Sequence, residues 1–308
     1  MQPTTDTPGG ASAPAAPSTP SSAPAPSGRK PVDRERAADR QRSLRRLGTR
    51  LASLAVVLLM WWLVTAAGWV KPLYLPSPGS VWRAFVTANS IHPIAPGSSR
   101  LVAGEQGWYL WQHLLASLQR MGVGVGWAIV FGPLLGFLMA TIQPLGTIIE
   151  PYLNFLRALP PLGYIGILIV WFGIGDLSKV WLLFLAAFPP ITMATINGVR
   201  NVRADRINAA RSLGGSFLDV WRYVILPSTA PDILNGIRIA IGFAWTTVVA
   251  AELNAGNPGI GYLAYVSGTE LKTALTLACI IVIGIAAILL DLAVKGVENL
   301  VVPWRGKA

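Results

Sequence analysis

One cysteine and two histidines in 308 residues leave little metal or redox chemistry to consider. Cys279 lies inside an apolar run, so neither a disulfide framework nor a Cys-based metal site can form within one chain. His92 and His113 each stand beside apolar or Pro-rich sequence, a poor setting for a metal site. Charge is scarce too: Asp, Glu, Lys and Arg make up 13% of the chain, roughly half the share usual in soluble domains. There is no G-x-x-x-x-G-K-[ST] phosphate loop, since the Gly-Lys pair is Gly306-Lys307, at the chain end. "MGVGVGW" has glycines without the G-x-G-x-x-G spacing. No Ser–His–acid set is evident either. Nothing here reads as an enzyme, so energy for uphill work has to come from a partner or an ion gradient.

What is present is apolar. Hydrophobic residues reach 53%, and the mean hydropathy is +0.51. One membrane domain fits that composition better than two soluble domains. The net charge of +11 does not mark a nucleic-acid face, because the basic residues sit at the ends of apolar segments. Twelve tryptophans, several near such ends, fit the aromatic belts of a bilayer interface.

The chain opens on a Pro/Ala/Ser-rich tract over residues 1–28 that is expected to be a disordered tail. Residues 29–50 hold nine Lys/Arg and read as a cytoplasmic juxtamembrane segment. From 51 to 300 six spans are expected: Leu51–Val70, Met121–Ile142, Ala158–Ile174, Val180–Val199, Ile233–Leu253 and Thr273–Leu290. The third is short and holds Pro160-Pro161, so a kinked or broken start is expected. Residues 301–308 form a cytoplasmic tail. The positive charges test this plan. Nine precede the first span, Arg157 follows the second, five lie between Arg200 and Arg222, and three follow the sixth. Against these, Lys71, Arg83, Arg100, Lys179 and Lys272 lie on the other side, with Arg120 and Arg238 at span edges. Both termini are therefore placed in the cytoplasm.

Two details carry further expectations. Gly122/Gly126 and Gly132/Gly136 are small-xxx-small pairs that permit close helix packing. Arg238 and Glu252 bracket too short an uncharged run to cross; they either snorkel to opposite interfaces or line a hydrated path.

The stretch "INAARSLGGSFLDVWRYVILP", Ile207–Pro227, is a charged turn between two apolar spans. It reads as two short helices broken at Gly214-Gly215, the second capped by Ser216 and stopped by Pro227. Such a piece either lies flat on an anionic leaflet or docks into a groove on another protein. Its order is Ala209-Ala210, three residues, Gly214, nine residues, Val224, one residue, Leu226-Pro227. That order resembles the EAA motif of ABC-importer permeases, here within a loop at 200–227. "LWQHLLASLQR", "RALPPLGYIGILIVWFGIGDLSK", "VVAAELNA", "GIGYL" and the terminal "PWRG" are similar to the taurine/nitrate/sulfonate branch, and most to its taurine-carrying members.

The resemblance implies an all-α, six-helix, MetI-like type I importer permease. It implies a homodimer of permease chains, two ATP-binding cassette subunits and a periplasmic or lipid-anchored substrate-binding protein, set in membrane lipid without nucleic acid. ATP and Mg would be used by the partner subunit, with no cofactor bound by this chain. The loop residues Asn208, Ala209, Ala210, Gly214, Val224, Leu226 and Pro227 would couple to the ATPase, Asn208 standing where the family has Glu. Tyr164, Trp245, Thr246, Thr247 and Glu252 are the candidates for the passage, against packing or anchoring roles. The substrate implied is taurine, with other alkanesulfonates or nitrate as the alternative. An ion-coupled secondary transporter is disfavoured by the lack of an acidic residue near mid-span.

Overall fold

The computed structural model describes residues 31–94, 97–253, 256 and 258–303. The tail expected over 1–28 and the last residues, 304–308, lie outside the described residues. The chain divides into two compact units, Met1–Val57 and Leu58–Ala308. Among its described residues the first is helical, forming the start of α1 (Pro31–Ala66).

The second unit takes in the rest of α1 and then α2 (Pro78–Thr87), where Ser77 caps the helix and Pro78 supplies a preset first turn. A small antiparallel hairpin follows, β1 (Ile91–Pro93) paired with β2 (Leu101–Ala103). Then come α3 (Leu110–Thr141), α4 (Gln143–Ala158), a 3₁₀ turn at Pro161–Gly163 and α5 (Ile165–Phe172). The chain goes on through α6 (Asp176–Arg200), α7 (Ala204–Ser212), α8 (Phe217–Val220), a π turn at Trp221–Ile225 and α9 (Leu226–Glu252). It closes with α10 (Ile260–Thr269) and α11 (Thr273–Val301).

Small residues at four-residue spacing seat α3 on α6. A Cβ on Gly124 would stand 2.7 Å from the Leu183 Cβ, and one on Gly136 would stand 2.6 Å from the Thr195 Cβ. Gly132, against Ile191, and the fully buried Ala128 complete the row. The matches 124 with 183 and 136 with 195 make the two helices run parallel. α9 returns antiparallel, its Gly236 against Ala194 and its Thr229 against Gly198. The core between these three helices includes Val125, Leu183, Ile191, Ala240, Ala244, Trp245 and Val248. Gly122 and Gly126, expected to pack with the later pair, have open space beside them instead. Only a row stepping by four from Gly124 faces α6; its neighbours two residues away point elsewhere on the cylinder.

Among the described residues, four helical stretches are long and apolar enough to cross a membrane: Leu110–Thr141, Asp176–Arg200, Phe217–Glu252 and Thr273–Val301. Leu51–Ala66 is a shorter apolar helix. The expected third span is divided. α4 climbs beside α6, with Glu150 bonded to Arg200 and Leu153 packed on Met193 and Ile196. It stops at Ala158, before Pro160-Pro161, and α5 resumes against Leu182. The proline pair removes two backbone donors and disfavours the helical conformation of the residue before it. Arg157, expected on the cytoplasmic side, therefore lies part-way up this crossing, lining a small cavity with Leu185, Ala186 and Pro190 of α6.

α3 also begins well before the expected Met121, because Arg120 finds its partners inside the protein instead of ending the span. At the other end of the bundle, Pro227 does not stop a helix. The preceding π turn bonds the Leu226 N–H to the Trp221 carbonyl, one residue further back than usual. That extra residue lets the proline ring follow without breaking the run from Phe217 to Glu252.

The glycine row gives a direct prediction. Gly136→Val should lower the thermal stability of the purified protein by about 1–3 kcal/mol through overpacking. Gly122→Ala should leave it unchanged or slightly raised. Melting curves in detergent for the two variants check this.

Candidate functional site

The loop at 200–227 forms a knob at the end of the bundle where α3 and α6 finish. α7 ends in a Schellman closure: the Gly214 N–H donates to the Arg211 carbonyl, and the Gly215 N–H to that of Ala210. Gly214 has φ +82°, a left-handed conformation that a side chain resists. Ser216 then starts α8, accepting from the Asp219 N–H while the Asp219 carboxylate accepts from the Ser216 N–H. The buried Val220 and the Trp221 ring, 4.6 Å from that of Phe137, fix the knob to the base of α3.

The knob leaves an apolar surface open. Leu213 is 89% exposed and Leu218 75%, with Phe217 and Tyr223 also exposed. Asn208, Ala209 and Gly214 share that exposure, Leu226 lies at its edge, and Ala210, Val224 and Pro227 are half-buried. Arg222 lies over the Tyr223 ring, and Asp205 pairs with Arg203 at 3.0 Å.

A buried ion cluster occupies the far end. Glu252, with no exposed surface, ends α9 and is satisfied by three donors. Its Oε1 accepts from Arg120 Nη1 at 2.8 Å and Ser117 Oγ at 2.6 Å, and its Oε2 from the Gly261 N–H at 2.9 Å. Arg120 Nε donates to Asp176 Oδ1 at 2.7 Å, which brings in the start of α6. Three successive N–H groups at the start of α10 each find a partner: Gly259 on His113 Nδ1, Ile260 on Ser117 Oγ and Gly261 on Glu252. These are donors that a helix N-terminus cannot satisfy by itself. Because Nδ1 accepts from Gly259, His113 is left with its Nε2–H to donate to the Glu105 carbonyl. A Cβ on Gly261 would collide with the Val249 backbone, so the approach needs glycine. Glu252 and Arg120 thus neutralise one another in the interior, where either alone would be costly.

Two open cavities flank this cluster. One, about 500 Å³, is lined by Trp108, Trp111, Gln112, Gln119, Arg120 and Asp176. The other, about 640 Å³, includes His92, Glu105, Ser267, Glu270 and Lys272. The Glu270 carboxylate, 3.0 Å from Lys272 Nζ, raises the pKa of that ammonium.

The residues expected at a passage separate into two groups. Trp245, Thr247 and Glu252 are buried in the interior of the chain. Thr247 returns its hydroxyl to the Phe243 carbonyl at 2.8 Å, and Thr246 does so at 2.9 Å. Tyr164 is half-buried beside the α4–α5 break, lining the cavity that also holds Arg157 and Phe243. Thr246 shares an exposed stripe of α9 with Asn235, Ile239, Gly242 and Phe243. Neither Arg238 nor Glu252 snorkels. Arg238 bonds Glu298 at 2.6 Å and lies 3.2 Å from Asp291 of α11. The stripe His113, Ser117, Arg120 was the missed signal: steps of four and three place all three polar groups on one face of an apolar helix.

Residues 132–307 match the family of binding-protein-dependent transport system inner membrane components. The chain belongs to that family of permeases. The permease is 38% identical to the taurine transport system permease protein TauC of Escherichia coli (strain K12), over 85% of this chain and 92% of that protein. It is 32% identical to the putative aliphatic sulfonates transport permease protein SsuC of the same strain, over 81% of this chain and 89% of that one. In solved structures it resembles a chain of the MetNI methionine ABC transporter in inward-facing conformations. The TM-score is 0.55 at 20% identity, covering 64% of this chain and 99% of that one. The fold is therefore the MetI-like permease fold. The permease is a multi-pass inner-membrane component of an ABC importer and not its ATPase; it works with ATP-binding subunits and a substrate-binding protein.

Removing one partner of the buried pair should leave a charge stranded. Arg120→Met is expected to destabilise the permease by about 3–5 kcal/mol. Arg120→Met with Glu252→Met should recover much of that loss. Melting temperatures of the two singles and the double check the coupling; a double variant worse than both singles would contradict it.

Proposed function

We propose that this permease moves taurine or a closely related alkanesulfonate into the cell. The observation that carries the reading is its likeness to TauC, which extends over nearly the whole of both chains. In this scheme two copies of the chain enclose the passage, surrounded by lipid, with both termini in the cytoplasm. The solute is delivered by a periplasmic or lipid-anchored binding protein to the far end of the bundle. ATP and Mg²⁺ act in the partner subunits, and this chain holds no cofactor. Other alkanesulfonates or nitrate are the competing cargo, favoured by the likeness to SsuC for the former.

The knob is proposed to seat in a cleft of the ATP-binding subunit. Its exposed Leu213, Phe217 and Leu218 supply the apolar contact, and its two caps make it rigid enough to transmit a push. The single run from Phe217 to Glu252 links it to the far end, where the Arg120–Glu252 pair joins α3, α6 and α9. Asn208 offers a hydrogen bond where the resembling motif has Glu. Tyr164 and Thr246 are proposed to border the passage directly, with Trp245, Thr247 and Glu252 supporting it from the interior.

Two measurements test these points. Deleting the chain in sulfur-starved cells should abolish labelled taurine uptake, and in wild-type cells excess longer alkanesulfonate or nitrate should compete weakly. Undiminished uptake, with no second taurine system present, would move the cargo to the competing anions. Gly214→Asp should reduce uptake to background while the chain still reaches the membrane; full transport by that variant would refute docking through the knob.

A further inference from the structure

Arg157 is a charge that the fold carries into a crossing without pairing it among the described residues. It lies in the last turn of α4 and lines a cavity of about 50 Å³ with Pro161, Tyr164, Leu185, Ala186, Pro190 and Phe243. Ala186 and Pro190 stand about 15–20 Å along α6 from Asp176, near the middle of that crossing. Phe243 is likewise well inside α9. Arg157 is exposed on this chain, and among the described residues no carboxylate bonds to it. A guanidinium at that height cannot reach either interface of a ~30 Å core, and facing lipid there is costly.

The backbone beside it gives a second, independent observation. Between Ala158 and Ile165 the helix is interrupted by Leu159, Pro160 and a 3₁₀ turn, leaving carbonyls without helical partners. Irregular backbone at mid-depth is tolerated where it lies within protein or borders water, not against lipid. The exposed stripe of α9 adjoins this break through Phe243 and carries the polar Asn235 and Thr246. Charge, broken backbone and polar stripe therefore share one face.

We infer that this face lines the aqueous passage and that the Arg157 guanidinium is a transient binding step for the anionic head of the passing solute. The inference rests on the proposed cargo, a solute bearing a sulfonate or, in the competing reading, nitrate. An unpaired cation suits that role, because it offers a sulfonate or nitrate charge-assisted hydrogen bonds halfway across. With no carboxylate bonded to it among the described residues, and the half-buried Tyr164 as its neighbour, it holds the anion without forming a closed pocket.

The test compares Arg157→Gln, Arg157→Lys and the unaltered chain, each assembled with its ATP-binding subunits and binding protein. Labelled taurine uptake by the unaltered chain is measured first and settles the cargo separately. Where taurine is not carried, labelled nitrate or a longer alkanesulfonate replaces it. Arg157→Gln should lower uptake at limiting solute about tenfold or more, the scale of losing one charge-assisted hydrogen bond. Arg157→Lys should retain a substantial part of the uptake. Yield of the assembled complex and its ATPase rate without solute should stay within about twofold of the unaltered protein, since Arg157 holds nothing else in place. Uptake by Arg157→Gln equal to the unaltered chain, for whichever anion that chain carries, would overturn the inference. So would parallel loss of assembly and ATPase rate, which would make Arg157 a contact between subunits.

Discussion

Hydrocarbon offers no partner to a charge or to a free backbone N–H, so each polar group inside this bundle must be matched by protein or by water. That constraint explains where the permease departs from simple apolar rods. Arg120 and Glu252 meet each other, with Ser117, Asp176 and the Gly261 N–H completing the set. Arg238 meets Glu298 and Asp291 on α11. Trp245 Nε1 is an exception, buried without a hydrogen-bond partner among the described residues. In the scheme inferred above, water in a passage matches the interrupted turn at Leu159–Gly163 and the charge of Arg157.

The two ends of the molecule are tied to the same three helices. At one end the knob is anchored by Val220 and Trp221 at the base of α3, and it passes directly into α9. At the other, the buried ion cluster draws the starts of α3, α6 and α10 onto the end of α9. Between them the small-residue row of α3 keeps the backbones too close to slide independently. A displacement of the knob would thus reach the far end as movement of a packed unit. α4 and α5 stand apart from that unit in one respect: their crossing is already broken, beside Pro190 of α6 and Phe243 of α9.

Much of this is legible in the residues. The existence of long apolar helices, the break at Pro160-Pro161, the Gly214-Gly215 turn and the Ser216 cap follow from local chemistry: chain length in hydrocarbon, a missing donor, a positive φ and a side-chain acceptor. The EAA-like spacing locates the knob for the same reason, since its turn and caps depend on residues only a few positions apart. Where local rules err, a distant partner or a hidden insertion is responsible. Arg120 reads locally as the edge of a span because its acceptor, Glu252, lies 132 residues later. Pro227 reads locally as a stop because a one-residue π insertion leaves no mark in the local pattern.

The sequence by itself determined that this is a multi-pass membrane chain with a capped, two-helix knob, because burial in lipid, proline geometry and capping act over a few residues. Only the tertiary structure decided which glycines pack, which charges are neutralised and that Arg157 lies part-way along a crossing. Those outcomes depend on which faces of α3, α6 and α9 meet, and in one sequence the pairing of faces is hidden.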